Sequence, residues 1–273
     1  MKRIFSLALI CALAGNMSAQ TLVKEINDIR DFTGIEASGV FVIELKKGPT
    51  PSVVVEAESR YMEYIRVEVR SGVLRLYTQL PARMRLSNNA TLKAYITIGE
   101  LHSLELSGVC ALTASDLFTP SRFRLELSGV SKVSGLRIQT NEANMNISGA
   151  SKLDLSGTAK QAKIDLSGTS QSNYNLESER VSIKASGSSK LEMRGTAHEV
   201  AMDISGVTSV AAGSFVIKNL DFSASGVSKA DVHVTETLSV RMSGQSKLNH
   251  KGNPRLLDSK VSSGASVNGQ RIN

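Results

Sequence analysis

The sequence predicts an all-β protein: a single-stranded β-solenoid in which about nine coils of ~20 residues stack on one another, capped by an N-terminal β-rich segment. The first observation behind this prediction is a Ser-Gly pair that recurs nine times, with its glycines at 108, 129, 149, 168, 187, 206, 226, 244 and 264. The second is the alternation of apolar and polar residues around each pair, which is typical of strands with one buried face. The period is too short for helical repeats, whose units have about 33 residues or more.

The residues within one repeat can be assigned to the inside or the outside of a coil. Leu125 and Leu127 precede Gly129 by four and two residues, and Glu126 lies between them. Each of the first eight repeats has apolar residues at these two positions. Small residues, mostly serine, lie two positions after the glycines, and apolar residues lie four positions after the first eight glycines except at Ser172. We expect an inward row of hydroxyls that bond the coil's own backbone or the next serine, and a positive φ at each glycine.

Stacked coils would form a rod on the order of 38 Å long, since adjacent strands lie about 4.8 Å apart. Parallel connections favour a right-handed path, so the predicted fold is a right-handed parallel β-helix. The ninth repeat differs, because Lys260 and Ser262 fall on the positions that are apolar elsewhere. The stretch from Lys251 to Asn273 is therefore expected to be a polar terminal cap.

The chain divides into three predicted segments. Residues 1–19 are expected to be a signal peptide cut before Gln20, because Lys2 and Arg3 precede a short apolar run that ends near Ala19. Residues 20–100 form the β-rich N-terminal part, and residues 101–273 form the Ser-Gly repeat solenoid. No later run is apolar enough to predict a transmembrane segment. One cysteine, Cys110, follows the signal peptide, so it is expected to be a small packed side chain without a disulfide.

The N-terminal part is expected to cover the first end of the rod, which would otherwise expose an edge. Residues 35–45 repeat the coil pattern once, and residues 48–51 read as a loop. A two-residue hairpin turn is predicted at Ser71-Gly72, and another strand from Leu92 to Ile98. A separate domain is the alternative for this part of the chain.

The composition argues against nucleic-acid binding and supplies no enzyme motif. The formal charge is +7 and falls to +5 without Lys2 and Arg3, but the basic residues are dispersed and aromatic residues make up 4% of the chain. No Gly-x-Ser-x-Gly motif is present, and no histidine has a partner at metal-ligand spacing. Glu105 and Glu126 are expected to be neighbours that are exposed and have ordinary pKa values. No catalytic, metal or cofactor site is predicted.

One outward row of lysines, with acidic residues two positions further on, is the candidate site. Its members are Lys132, Lys152, Asp154, Lys190, Glu192, Lys229, Asp231 and Lys247. We expect Lys–acid pairs within a coil. This surface is either a solvated face or a binding face for anionic glycans or a partner protein.

The run Asp31–Val40, the run Leu101–Gly108 and the Ser-Gly-x-Ser-Lys repeats resemble the "putative autotransporter adhesin, head GIN domain" family over residues 28–270. The resemblance implies a secreted β-solenoid of the Gram-negative cell envelope with an adhesive role and no catalytic residues. The expected location is the periplasm, the outer-membrane surface or the extracellular space, with a glycan or a surface protein as partner. A homo-oligomer is left open, as are a carbohydrate-active β-helix enzyme and a periplasmic structural protein.

Overall fold

The computed structural model describes residues 21–26, 29, 32–87 and 90–268, and the predicted signal peptide lies outside these residues. The described chain is almost entirely strand, with one short helix. All twenty strands belong to one sheet, which winds into a β-solenoid of about nine turns. The predicted fold class is confirmed.

The elements follow one another along the chain as short strands, then six long strands, then short strands again. In order they are β1 (Thr21–Glu25), β2 (Gly34–Gly39), β3 (Phe41–Lys47), β4 (Ser52–Glu58), α1 (Ser59–Met62), β5 (Ile65–Arg70), β6 (Val73–Thr78), β7 (Leu92–Ile98), β8 (Ser103–Gly108), β9 (Ala111–Ala114), β10 (Leu117–Phe118), β11 (Arg122–Leu127), β12 (Lys132–Ile147), β13 (Lys152–Leu166), β14 (Gln171–Ala185), β15 (Lys190–Ile204), β16 (Ser209–Ala224), β17 (Lys229–Met242), β18 (Lys247–Lys251), β19 (Arg255–Val261) and β20 (Ser266–Val267).

Each coil has three faces, which we name by their position relative to the corner glycine. Face A is the stretch that ends at the glycine: β2, β8, β11, the last residues of β12 to β17, and β19. Face B begins just after the glycine: β3, β9, the first residues of β12 to β17, β18 and β20. Face C is the return path through β10 and the middle of the long strands. Within the coils, all of these pairings are parallel.

The core consists of rows of like residues, one from each coil. Leu106, Leu127, Ile147 and Leu166 are register partners, and all are buried. Stacking in register lets each coil bury the apolar face of its neighbour, which a single coil of this length cannot do alone.

The inward hydroxyl row is confirmed. Its buried members are Ser131, Ser151, Ser170, Ser189, Thr208, Ser228 and Ser246, with Cys110 before them and Ala265 after them. Most of these hydroxyls donate to the carbonyl three residues earlier, as Ser131 Oγ does to Ser128 O at 2.7 Å. Ser170 and Ser189 also bond each other, with 3.2 Å between their Oγ atoms. Most hydroxyls of the row are therefore hydrogen-bonded to backbone carbonyls of their own coil at the bend.

The first eight corner glycines have positive φ, as predicted, whereas the expectation is wrong for Gly264, where the register of the last coil is shifted. The angle is +67° at Gly129 and +71° at Gly168. Each glycine stacks closely on the previous one. A Cβ on Gly129 would therefore clash with the carbonyl oxygen of Gly108. Both the backbone angle and the stacking distance therefore require glycine at the corner.

The N-terminal part covers the first end of the rod. β6 pairs in parallel with β2, and β7 pairs in parallel with β3. Faces A and B are therefore each extended by one strand at this end of the rod. Antiparallel strands follow: β5 beside β6, β4 beside β7, and β1 beside β4. The predicted hairpin turn is confirmed, since Arg70 pairs with Val73 across Ser71-Gly72, and so is the strand from Leu92 to Ile98. The division of the chain at residue 100 stays a prediction, because both segments share one sheet.

The last coil corrects one expectation. β19 has an irregularity opposite Leu238 and Ser239, which shifts its register against β17. Val261 consequently pairs with Met242 in the inward row, and Lys260 pairs with Arg241 on the outside. The prediction that Lys260 and Ser262 occupy inward positions is wrong, because counting back from Gly264 misplaces this strand by one residue.

Candidate binding surfaces

The predicted lysines lie in one row on face B, which we call the lysine row. Lys132 pairs with Lys152 on the next coil, Lys190 follows after Gln171, and Lys229 and Lys247 follow after Ser209. All five lysines are exposed. Lys132 and Lys152 are direct neighbours, and so are Lys229 and Lys247, so like charges lie about one coil rise apart at both ends of the row.

The predicted acidic residues form a second row beside the lysines. Asp154, Glu192 and Asp231 occupy the same register, separated by Asn173 and Ala211. The structure thus brings all eight predicted residues onto one face.

The expected Lys–acid pairing within a coil is present in one case. Lys229 Nζ lies 3.1 Å from Asp231 Oδ2, and Asn249 Nδ2 donates to Asp231 Oδ1 at 2.7 Å. The Asn249 hydrogen bond and the Lys229 ammonium lower the pKa of Asp231. Glu192 instead pairs with Arg194 at 2.8 Å. Within the described part of the chain, the other four lysines of the row form no ion pair within 4 Å.

A row of exposed apolar side chains lies at the corner, and the sequence reasoning did not identify it. The residue after the corner glycine is valine at Val109, Val130, Val207 and Val227, which are between 54% and 62% exposed. We call these four residues the valine ridge. The available signal was the Ser-Gly-Val triplet, because the alternation that buries the next serine must turn the valine outward.

A groove of about 640 Å³ runs along face A across several coils. Its floor contains small and branched apolar residues such as Ala162, Val181 and Val200. Its rims carry polar and charged side chains, including Arg180, whose Nε lies 3.0 Å from Glu199 Oε2. Sequence reasoning missed this groove as well, because it depends on the concavity of the stacked strands and not on a residue motif.

Three glutamates stack on face A near the first end of the rod. Glu105 lies between Glu36 and Glu126, its register partners on either side. Arg75 holds Glu36 through two hydrogen bonds of 2.8 and 3.0 Å, and Arg124 pairs with Glu126. Desolvation, followed by repulsion from Glu126 and Glu36, raises the pKa of Glu105. The expectation of an ordinary pKa at Glu105 is wrong, because stacking partly desolvates this carboxyl and places two further carboxylates beside it.

Cys110 is a packed side chain and not an exposed thiol. It is buried, its Sγ lies 3.1 Å from Ser107 O, and burial raises its pKa. A thiol with a raised pKa carries little thiolate and is a poor nucleophile.

Two searches of the described residues were negative. Among residues 21–26, 29, 32–87 and 90–268, no three His, Cys, Asp or Glu side chains are grouped so that they could hold a metal ion. Over the same residues, no helix has both the length and the apolar character needed to cross a bilayer.

Comparison with known proteins gives one family and several similar folds. The family model described as "Putative auto-transporter adhesin, head GIN domain" matches residues 31–175 and 167–254. No curated protein matches the chain.

Three solved structures of similar proteins cover most of the chain. A "putative adhesin" from Parabacteroides distasonis is 18% identical with a TM-score of 0.69, covering 91% of this chain and 97% of its own. A "putative adhesin" from Parabacteroides merdae is 17% identical with a TM-score of 0.66, covering 91% and 95%. A "Putative lipid binding protein" from Parabacteroides distasonis is 18% identical with a TM-score of 0.65, covering 90% and 95%. At these identities the likeness concerns the fold.

Proposed function

The chain belongs to the family "Putative auto-transporter adhesin, head GIN domain", and from this membership we propose that it is an exported, non-catalytic adhesin that presents a β-solenoid binding face. Its place of action would be the cell envelope: the periplasm, the outer-membrane surface or the extracellular space. The binding face is the lysine row of face B together with the acidic row beside it, and the ligand is an acidic glycan.

The observation that carries this proposal is the single row of exposed lysines on face B, four of which form no ion pair with another described residue. Neighbouring lysines lie about 4.8 Å apart along the coil axis, and the interruptions at Gln171 and Ser209 extend this to about 9.6 Å. One exposed lysine contributes little binding energy by itself. Several lysines that contact carboxylates on one polymer act together, because each contact raises the effective concentration of the next.

The arrangement of the acidic side chains on face A argues against a glycoside-hydrolysing site. Carboxylates that hydrolyse glycosides flank the scissile bond within a cleft. The groove on face A is lined by the carboxylates of Glu142, Glu199 and Asp221. Each of them forms an ion pair with an arginine, namely Arg122, Arg180 and Arg241. This arrangement supports a non-catalytic role.

The test is binding of the exported chain to immobilised heparin and polygalacturonate, with neutral dextran as the uncharged probe. In one variant, Lys132, Lys152, Lys190, Lys229 and Lys247 are each changed to Gln. The matched control removes the same charge elsewhere, with Lys160, Lys163, Lys184, Lys218 and Lys251 each changed to Gln. We expect the first variant to lose about tenfold or more in affinity at low salt, and the control to change far less.

Equal losses in the two variants would contradict the proposed face, because they would show a response to net charge alone. Failure of the unaltered chain to bind either acidic polymer would contradict the glycan ligand. The polymer length is measured after incubation in the same experiment. Shortened chains would contradict the non-catalytic role and favour a carbohydrate-active enzyme.

A further inference from the structure

The valine ridge gives the solenoid corner a second binding property. We propose that this corner is a wedge that binds the surface of an anionic lipid bilayer, with the four valines entering the interface and the lysine row contacting the headgroups. The inference uses the envelope location in the proposed function, but it does not depend on the glycan ligand, which the valines do not contact.

The valines are held in an outward position by the backbone ladder. Val130 N donates to Gly108 O at 2.7 Å, and Val227 N donates to Gly206 O at 2.9 Å, so hydrogen bonds between coils continue through the corner. The next residue in each coil, such as Ser131 or Ser228, is buried in the hydroxyl row. The valines therefore cannot turn inward without breaking the register of the coils.

The ridge consists of two pairs of valines along one corner of the solenoid, and the three coils between the pairs have Ala150, Thr169 and Ser188 at this position. Val109 and Val130 lie on adjacent coils, and so do Val207 and Val227, with four coil steps, or about 19 Å, between Val130 and Val207. The full ridge spans six steps, or about 29 Å. Because all four side chains follow the corner glycines in register, one surface that runs along this corner can contact both pairs.

The order of side chains away from the ridge fits the layers of an anionic bilayer. On face B, a lysine follows two of the four valines: Lys132 comes after Val130, and Lys229, with Asp231 beyond it, comes after Val227. The small residues Ala111 and Ser209 occupy the same position after Val109 and Val207. Apolar side chains enter the boundary between acyl chains and headgroups, lysines contact anionic headgroups while their stems cover apolar surface, and carboxylates remain in water. Exposed apolar side chains that are grouped along one line of the surface indicate an interaction site.

The other flank of the corner carries no charge next to the ridge. The half-buried corner serines, such as Ser128, come first on face A. The carboxylates of Glu105, Glu126 and Asp203 lie four positions before the valines, beyond those serines. These carboxylates therefore lie away from the line where the valines would contact the bilayer, so their repulsion by anionic headgroups is weakened.

The experiment is co-sedimentation of the exported chain with vesicles of phosphatidylcholine, alone or mixed with phosphatidylglycerol. The ridge variant carries Val109→Ser, Val130→Ser, Val207→Ser and Val227→Ser. The matched control carries Leu256→Ser and Leu257→Ser, which alter side chains that are 54% and 56% exposed on the last coil. Equal urea midpoints for the variants and the unaltered chain establish that the fold is intact.

We expect the unaltered chain to bind the anionic vesicles, and to bind them less as salt is added. The ridge variant should bind about tenfold or more weakly, because apolar burial supplies part of the affinity, while the control should bind as before. The lysine-row Gln variant should lose the preference for phosphatidylglycerol.

Three outcomes would overturn the inference: no binding of the unaltered chain to anionic vesicles, equal binding of the ridge variant, or equal loss in the ridge variant and the control. Self-association that the ridge variant abolishes, without vesicle binding, would identify a second copy as the occupant and also overturn it. The ridge variant retains every lysine, so its binding to heparin tests the glycan proposal separately.

Discussion

At the scale of single residues, the corner glycines hold the coils at their stacking distance. Gly168 has a φ of +71°, and a Cβ at this position would lie 2.6 Å from the Gly149 carbonyl oxygen and 2.9 Å from its nitrogen. Because both atoms belong to the backbone, neither can move aside without disturbing the ladder.

Gly168→Ala should therefore lower the free energy of unfolding by about 2 kcal/mol or more. Gly213→Ala is the matched control, since its Cβ would approach only the flexible end of Lys251, at 3.5 Å. That change should stay within about 0.5 kcal/mol of the unaltered protein. Urea unfolding monitored by circular dichroism measures both variants, and similar losses would contradict the stacking explanation.

The hydroxyl row offers a second matched pair of residues. Ser131 Oγ donates to Ser128 O at 2.7 Å, whereas the buried Ser151 Oγ has no hydrogen-bond partner among the described residues. Removal of a hydrogen-bonded hydroxyl leaves its buried acceptor without that hydrogen bond, which lowers stability. Removal of a buried hydroxyl that has no partner relieves a desolvation penalty.

We expect Ser131→Ala to lower the free energy of unfolding by about 1 kcal/mol, and Ser151→Ala to leave it unchanged or raise it. Thermal and urea unfolding of the two variants provide the comparison. A loss at Ser151 as large as that at Ser131 would show that its hydroxyl is satisfied, for example by a buried water.

At the scale of strands, register decides which charges meet. No cation of the described residues pairs with Glu105, because Arg75 pairs with Glu36 and Arg124 pairs with Glu126. Its pKa is raised from 4.5, so the folded chain binds this proton more tightly than the unfolded chain does. The resulting stability is fully present below the unfolded value, and it is lost as the pH rises through the folded pKa.

Glu105→Gln should consequently stabilise the protein at pH 7 by a few tenths of a kcal/mol, up to about 1. The gain should disappear at a pH below 4.5, where the native carboxyl is already protonated. Glu36→Gln is the contrasting variant, because it removes the partner of Arg75 and should bring no gain. Urea unfolding at the two pH values tests this, and an identical gain at both would contradict carboxylate repulsion as the cause.

The strands also show which features follow from the sequence. A side-chain period of two and a glycine at fixed intervals are local properties, so they predict the inward rows, the corners and the common face of the lysines. The register of β19 depends on an irregularity opposite Leu238, which no spacing rule encodes. The shifted pKa of Glu105 and the pairing of Glu192 with Arg194 depend on side chains that meet only after stacking. The binding role of face B remains a prediction.

At the scale of the whole molecule, the rod is a one-dimensional array in which each coil contacts its two neighbours. The stability of such an array is approximately a sum of terms for single coils and for their interfaces. One middle coil has two polar groups in its core, since Ser172 stands where the neighbouring coils have an apolar residue and the hydroxyl of Tyr174 is buried as well.

Deletion of residues 168–186 removes one full coil and joins Ser167 to Gly187, which places Leu153 directly beside Leu191 in the same inward row. We expect the shortened chain to retain its β-sheet circular dichroism and one cooperative urea transition, with a rod shorter by about 4.8 Å. Deletion of residues 168–177 removes only about half a coil and should abolish the transition, because the half coil left at the junction cannot align its corner and its inward residues with the coils on both sides. Equal behaviour of the two deletions would contradict a core built from rows that repeat once per coil.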